Sequence, residues 1–328
     1  TSAAQRDTEQ QESFVPDPIV GHTESQKSLR TLEAAQKMPH GILLYGPKGI
    51  GKRVFAENLA WGMICGFDPA TPDLLEYDKN AHLAPVMAHG AHAGFAVLAP
   101  DGNFIKISQV REVNAKLSFA DEGWRVVIVD AADNLNSAAA NALLKTLEEP
   151  SGKTLLILIS HAPSKLLPTL ISRCRKVRLS PLTTPQLETV LQNHSSEDVP
   201  LQVKQMADGA PGRALYLNDY AINALEILTH AFNNKEQTES DAVGDTARDT
   251  VALAEKLLNT ASDSSILFDI VLWLLADKAR TYAQNGNAHQ AFIWGQCHQR
   301  AQQIAADQQE YNLTPQLALE KILKDIFN

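Results

Sequence analysis

An α/β domain on a parallel sheet, succeeded by all-helical segments, is the fold predicted by three features of this 328-residue sequence. Short apolar runs at 41–45, 125–130 and 154–160 read as strands, helical patterns lie between them, and strand signals cease after Ser180-Pro181. Continuous apolar strands suit a parallel sheet covered by helices on both faces. A composition of 44% hydrophobic and 20% charged residues is that of an ordinary globular chain, long enough for about two domains or three small ones.

Residues 1–17 are polar and mixed in charge, without the apolar core of a signal peptide, and read as a flexible tail; the missing opening methionine suggests trimming. Gly41-Ile42-Leu43-Leu44-Tyr45 forms the first strand and ends in a glycine-rich turn, after which residues 54–63 place apolar side chains on one helical face. The second strand, Arg125 to Asp130, is β-branched. A helix over 137–149 follows, with Ala138, Ala142 and Leu143 at helical spacing and Pro150 as its stop. Thr154 to Ser160 is the third strand. Thr184-Pro185 reads as an N-cap with proline at the first helical position, and residues 199–206 as another short helix. From about Ala221 the chain is helical, except for a polar stretch at 233–249 read as a long loop or frayed linker. Ile266, Ile270, Trp273, Leu274 and Asp277 make one stripe, the core of a helix bundle rather than a ligand site. The division predicted is a tail at 1–17, an α/β domain at 18–180, a small helical domain at 181–220 and a helical domain at 221–328.

The net charge of −9 disfavours duplex DNA as a lone partner, because non-specific affinity comes from neutralising phosphates. Cys65, Cys174 and Cys297 contain no C-x-x-C pair, which excludes a four-thiolate zinc site and a disulfide framework and suits a reducing cytoplasm. The longest apolar runs, 155–159 and 266–276, fall short of the ~20 residues that span a bilayer.

Gly46-Pro47-Lys48-Gly49-Ile50-Gly51-Lys52-Arg53 matches the phosphate-loop pattern G-x-x-x-x-G-K-[ST] at every fixed position but the last. In such loops backbone N–H groups turn toward phosphate oxygens, the lysine adds a point charge, and the helix start contributes partial positive charge. The serine or threonine normally ends the motif by ligating Mg²⁺, whereas Arg53 has no lone pair to offer and is itself cationic. A glycine-rich turn that binds no nucleotide is the other reading. Asp130 closes an apolar strand as the metal-holding aspartate of these sites does. The next position, where hydrolytic versions commonly place a glutamate that polarises water, is Ala131. Asp133 lies too far along the turn to replace it without rearrangement. Both the metal position and the base position are therefore unfilled.

Asn141-Ala142-Leu143-Leu144-Lys145-Thr146-Leu147-Glu148-Glu149-Pro150, with Ser172-Arg173-Cys174, Val20-Gly21-His22 and Pro39-His40-Gly41, resembles the clamp-loader branch of the AAA+ proteins, nearest to its bacterial delta-prime family, over about residues 18 to 220. The resemblance implies an AAA+ nucleotide-binding-type domain, a small helical lid and a helical collar that joins subunits in a ring. It further implies that Arg173, within the interface motif Ser172, Arg173 and Cys174, points at ATP held by a neighbouring subunit. A guanidinium on a γ-phosphate can be worth 10³–10⁵ in rate. The plain alternative makes Arg173 one member, with Arg175, Lys176 and Arg178, of a solvated basic strand; Cys174 reads as a small packing residue. Ser160 falls at the family's first sensor position. Gly212 falls at the second sensor arginine, with Arg213 one residue out of register, so that role is not carried over. Many members of the family hold zinc on four cysteines after the first helix. The matching region here has Cys65, His82, His89 and His92, whose spacing does not make a tetrahedral site.

The function so implied is a catalytically silent, stator-like subunit of the bacterial DNA polymerase III clamp loader. It would supply Arg173 in trans while the ring places a sliding clamp on primed DNA. Implied partners are motor and delta-type subunits through the collar and the Arg173 face, with clamp and DNA met through the assembly, no membrane, weak or absent ATP/ADP binding and no zinc. Two rivals stand beside it. One is an active ATPase motor that relies on Lys52 and Asp130; the other is a DNA-binding AAA+ protein that uses the basic stretch from Lys165 to Arg178.

Overall fold

The computed structural model describes residues 14–118, 123–195, 198–237, 246–260, 264–311 and 313–327. They pack as two compact units, residues up to Asn193 with Gly209–Gly212, and His194–Asp208 with Arg213 onward. Residues 181–220, set apart in the sequence reading, are thus shared between the two.

In the first unit the Phe14 N–H donates to Ala88 O at 2.8 Å, and Asn58 Nδ2 donates to Asp17 O at 2.8 Å. Residues 14–17 are therefore tied down, unlike the flexible tail expected; residues 1–13 lie outside the described residues. There follow α1 (Thr23–Ala34), β1 (Gly41–Tyr45), α2 (Lys52–Cys65), α3 (Ala84–Ala88), β2 (Phe95–Leu98), α4 (Ile107–Ser118), β3 (Trp124–Val129), α5 (Ser137–Glu148), β4 (Lys153–Ser160), α6 (Pro168–Arg173), β5 (Arg175–Arg178) and α7 (Thr184–His194). The five strands pair in parallel in the order β2-β3-β4-β1-β5.

The apolar runs are continuous because both sheet faces are covered. Ile42, Leu44, Val126, Ile128, Leu155, Ile157 and Ile159 face one core with Leu29 of α1 and Phe55, Ala56 and Leu59 of α2. The alternate residues Leu43, Val127, Val129, Leu156 and Leu158 face another with Val110, Leu143 and Leu170 of α4, α5 and α6. Caps set the helix starts. Asn136 Oδ1 accepts from Ala139 N at 2.8 Å and opens α5. Before α7, Thr183 takes the capping place expected of Thr184: its carbonyl accepts from Leu187 N, and Gln186 Oε1 accepts from Thr183 N. Pro185 accordingly sits one position further into the helix.

The second unit is helical throughout its described residues: α8 (Leu201–Ala207), α9 (Pro211–Gln237, its part from Arg213 onward), α10 (Thr246–Thr260), α11 (Ser264–Gln284), α12 (Ala288–Glu310) and α13 (Pro315–Phe327). Of the stretch 233–249 expected as a loop, 233–237 and 246–249 continue helices, and 238–245 lies outside the described residues. Phe232 stacks on Trp294 and meets Phe327 edge-on, each at 5.7 Å between ring centroids. Ile266, Ile270 and Leu274 are buried, so that stripe is core. No helix among the described residues is long and apolar enough to cross a membrane.

Candidate functional site

β1 delivers the glycine loop at the C-terminal edge of the sheet, where Tyr45 is in register with Ser160 and Asp130 follows the last residue of β3. Gly46 has φ 154°, and a Cβ there would lie 2.2 Å from Leu179 O, so only glycine fits. Lys52 opens α2 at 3% exposure, its Nζ donating to Gly46 O at 2.7 Å and Pro47 O at 2.5 Å. Burial pushes this ammonium down to about 8, against the pull of Asp133 and Asp130. Two further loop carbonyls are engaged: Gly49 O accepts from Gly212 N at 2.9 Å, and Ile50 O from His22 Nε2 at 3.1 Å. Lys48 remains exposed.

The position after Lys52 decides the chemistry. Arg53 donates through Nε to Glu57 and through a terminal nitrogen to Asp130 Oδ2 at 2.9 Å. Glu57 is nearly buried, which raises its carboxyl above the usual range while Arg53 pulls it back. In a working phosphate loop the helix-start hydroxyl and the strand-end aspartate share a divalent cation. Here a guanidinium tethered to the helix holds that aspartate directly. A divalent cation does not fit this donor set.

Beyond Asp130, Ala131 takes φ 55° and starts a turn that returns Asp133 to β4. Ser160 Oγ donates to Asp133 Oδ1 at 2.6 Å, while the N–H groups of His161 and Ala162 donate to Asp133 Oδ2 at 2.7 and 3.3 Å. Fully buried Ser160 is thus satisfied within the chain, and Asp133 is committed to β4.

Arg173 does not join this cluster. It ends α6, whose C-terminal carbonyls favour a cation, and β5 begins two residues later with Arg175 opposite Ile42. A Cβ on Gly41 would meet Leu147 Cδ2 at 2.7 Å, Cys174 Sγ at 2.9 Å and Arg173 O at 3.2 Å. Arg173 therefore lies at the N-terminal end of β1 and the glycine loop at the other, about 17 Å away at ~3.3 Å per residue. Buried Cys174, its thiol pushed up to about 11, wedges against Gly41 beside Leu147. That packing brings the Asn141–Pro150 and Ser172–Cys174 segments together at the start of β1. Of the basic strand offered as the plain alternative, Arg175, Lys176 and Arg178 are exposed on edge strand β5 while Arg173 ends α6, and Lys165, at the start of the wider basic stretch, ends a 3-10 turn.

Between α2 and β2, Cys65 is pushed up to about 11 by burial and Asp78, His89 Nδ1 donates to Pro85 O, and His92 Nδ1 accepts from Gly94 N. His82 is exposed, and no three or more His, Cys, Asp or Glu side chains among the described residues are grouped to hold a metal. Trp61 and Tyr77, with ring centroids 4.7 Å apart, pack there with Ala84 and Met87. The donors do not fit the family's zinc module, and an apolar cluster occupies the region.

Sequence reasoning missed Glu57, the Gly212 contact with the loop, and Glu148, which pairs with Arg173 at 2.6 Å. Only Glu57 left a local signal, as a charge four residues after Arg53.

Residues 21–183 match a family model described as DNA polymerase III, delta subunit. A 139-residue stretch is 47% identical to the DNA polymerase III subunit delta′ of Pseudomonas aeruginosa and covers 41% of each chain. A 184-residue stretch is 34% identical to that of Escherichia coli, covering 54% of each. The chain thus spans about half the length of these curated relatives, or less. Among solved structures, a DNA polymerase III gamma-subunit-related protein from Thermotoga maritima shares the fold with TM-score 0.51 at 17% identity, over 91% of this chain and 98% of that one.

Proposed function

We propose, from its place in the clamp-loader family close to the delta-prime subunits of DNA polymerase III, that this chain serves DNA replication as a catalytically silent AAA+ subunit of a clamp loader. It supplies Arg173 to the nucleotide site of a neighbouring motor subunit during loading of the sliding clamp. One observation carries this reading: Arg173 sits at the far end of β1 from its own glycine loop. An arginine side chain cannot cross about 17 Å, so any phosphate that Arg173 meets is not one on its own glycine loop, which supports a role in trans. The bonds of Arg53 to Asp130 and Glu57 support the silent half, since a fixed guanidinium stands where the metal would link loop and strand.

In this reading the helical residues 221–328 form the collar, residues 181–220 the lid, and motor and delta-type subunits are the partners. Clamp and primed DNA are reached through the assembly in the bacterial cytoplasm. The loop binds ATP or ADP weakly or not at all, and zinc has no part.

The test is ATP hydrolysis by a reconstituted loader with clamp and primed DNA, comparing the native chain with Arg173→Ala once both are shown to assemble. The site that Arg173 faces should lose on the order of 10³-fold in rate. An unchanged rate with assembly intact overturns the trans role. Turnover by the purified chain that disappears in Lys52→Ala overturns the silence.

A further inference from the structure

We infer that Glu148 is the positioning residue for Arg173, ordering its guanidinium before any neighbour arrives; this rests on the trans reading above. The Arg173 guanidinium reaches Glu148 Oε1 at 2.6 Å through one terminal nitrogen and donates to Thr169 O at 3.1 Å through the other. The two acceptors stand on different elements, α5 and α6, so they fix the plane of the group as well as its reach. Their backbones are in turn fixed by the next residues along: Leu147 precedes Glu148, Cys174 follows Arg173, and both crowd against Gly41. Ser172 Oγ also donates to Thr169 O, at 3.0 Å, which gives the motif's serine a place in the same arrangement.

Arginine is long and otherwise free to rotate, and here its side chain is 40% exposed. Ordering it in advance removes a cost that would otherwise fall on the transition state, where a finger contributes most. The effect therefore belongs in kcat and not in KM. With Glu148 also 50% exposed, the pair is partly screened by solvent, so its loss should lower kcat only about two- to five-fold. That loss should shrink as salt rises.

The experiment uses the assembled loader with the native chain, Glu148→Gln, Glu148→Asp, Arg173→Ala and the Glu148→Gln/Arg173→Ala pair, each confirmed to assemble. At low salt Glu148→Gln should reduce kcat about two- to five-fold with KM for ATP unchanged, and Glu148→Asp should restore part of the loss. In the Arg173→Ala background Glu148→Gln should add nothing. A native kcat in Glu148→Gln at low salt, or a loss that persists without Arg173, overturns the positioning role. If Arg173→Ala itself runs at the native rate, the trans reading fails, whatever Glu148 does.

Discussion

Lys52 offers a test of the glycine loop that needs no assembled loader. The residue is 3% exposed, its ammonium is held by two carbonyls of its own loop, and burial brings its pKa down to about 8 from an ordinary 10.5. As pH rises past 8 the folded chain releases this proton, whereas the unfolded chain keeps it until 10.5. Over that window the unfolded state binds more protons, so Lys52 makes the fold more stable as pH rises. Between about pH 7 and about pH 9.5 the gain comes to about 2 kcal/mol. Cys65 and Cys174, raised by burial to about 11 from an ordinary 9.0, keep their protons in the folded chain while the unfolded thiols begin to lose theirs, an effect of the opposite sign at the upper end of this range, so the native profile alone mixes these effects. Urea unfolding of native and Lys52→Met chains at both pH values removes the shared part. The native chain should gain about 2 kcal/mol on the variant between the two conditions. A flat difference would refute a desolvated amine. Repeating the series with ATP and Mg²⁺ extends the test to function. A phosphate reaching Lys52 would hold its proton and flatten the profile, against the silent loop proposed here; an unaltered profile is expected.

Two further substitutions probe the supports of the site. Gly41→Ala places a methyl against Leu147, Cys174 and the Arg173 carbonyl, so it should cost about 1–3 kcal/mol in urea unfolding and reduce ATP hydrolysis in the assembled loader. Native stability would show that this end of β1 is looser than described. Asn136→Ala removes the cap on Ala139 N and should lower stability by about 1 kcal/mol, with Asn136→Asp close to native; an alanine variant as stable as native would show that the cap contributes nothing.

The inner strands were legible because burial on both faces demands unbroken apolar runs, and β1 and β4 fall within a residue of their expected bounds. The flanking strands carried no such mark. β5 reads Arg-Lys-Val-Arg with Val177 alone buried, and β2 has only four residues at the opposite edge, so neither stands out from a loop. Helix α1 and the first two residues of α2 were lost for another reason: His22 and Gly51, which precede them, both lie in the left-handed region and gave no conventional capping signal. In the candidate site the loop, Asp130, Ser160 and Arg173 could all be named from spacing and resemblance. What each touches could not, because Arg53 meets a carboxylate 77 residues further on and Arg173 meets Glu148 across two helices. Those partners are set by the order in which strands assemble, which local patterning does not encode.

β1 is five residues long and its first four are fully enclosed. A stiff strand between the glycine loop and the Gly41 end works as a spacer, so the two ends can drift independently under mutation. Substitutions that erase nucleotide chemistry at Arg53 or Ala131 leave the Gly41–Cys174 packing untouched. If Arg173 acts in trans as proposed, a ring of related subunits could lose catalysis in one member without weakening the adjacent active site, provided the damage stays on the C-terminal side of the sheet. On the same proposal, a lesion at Gly41 should register as a defect in the neighbouring subunit and not in this chain's own loop.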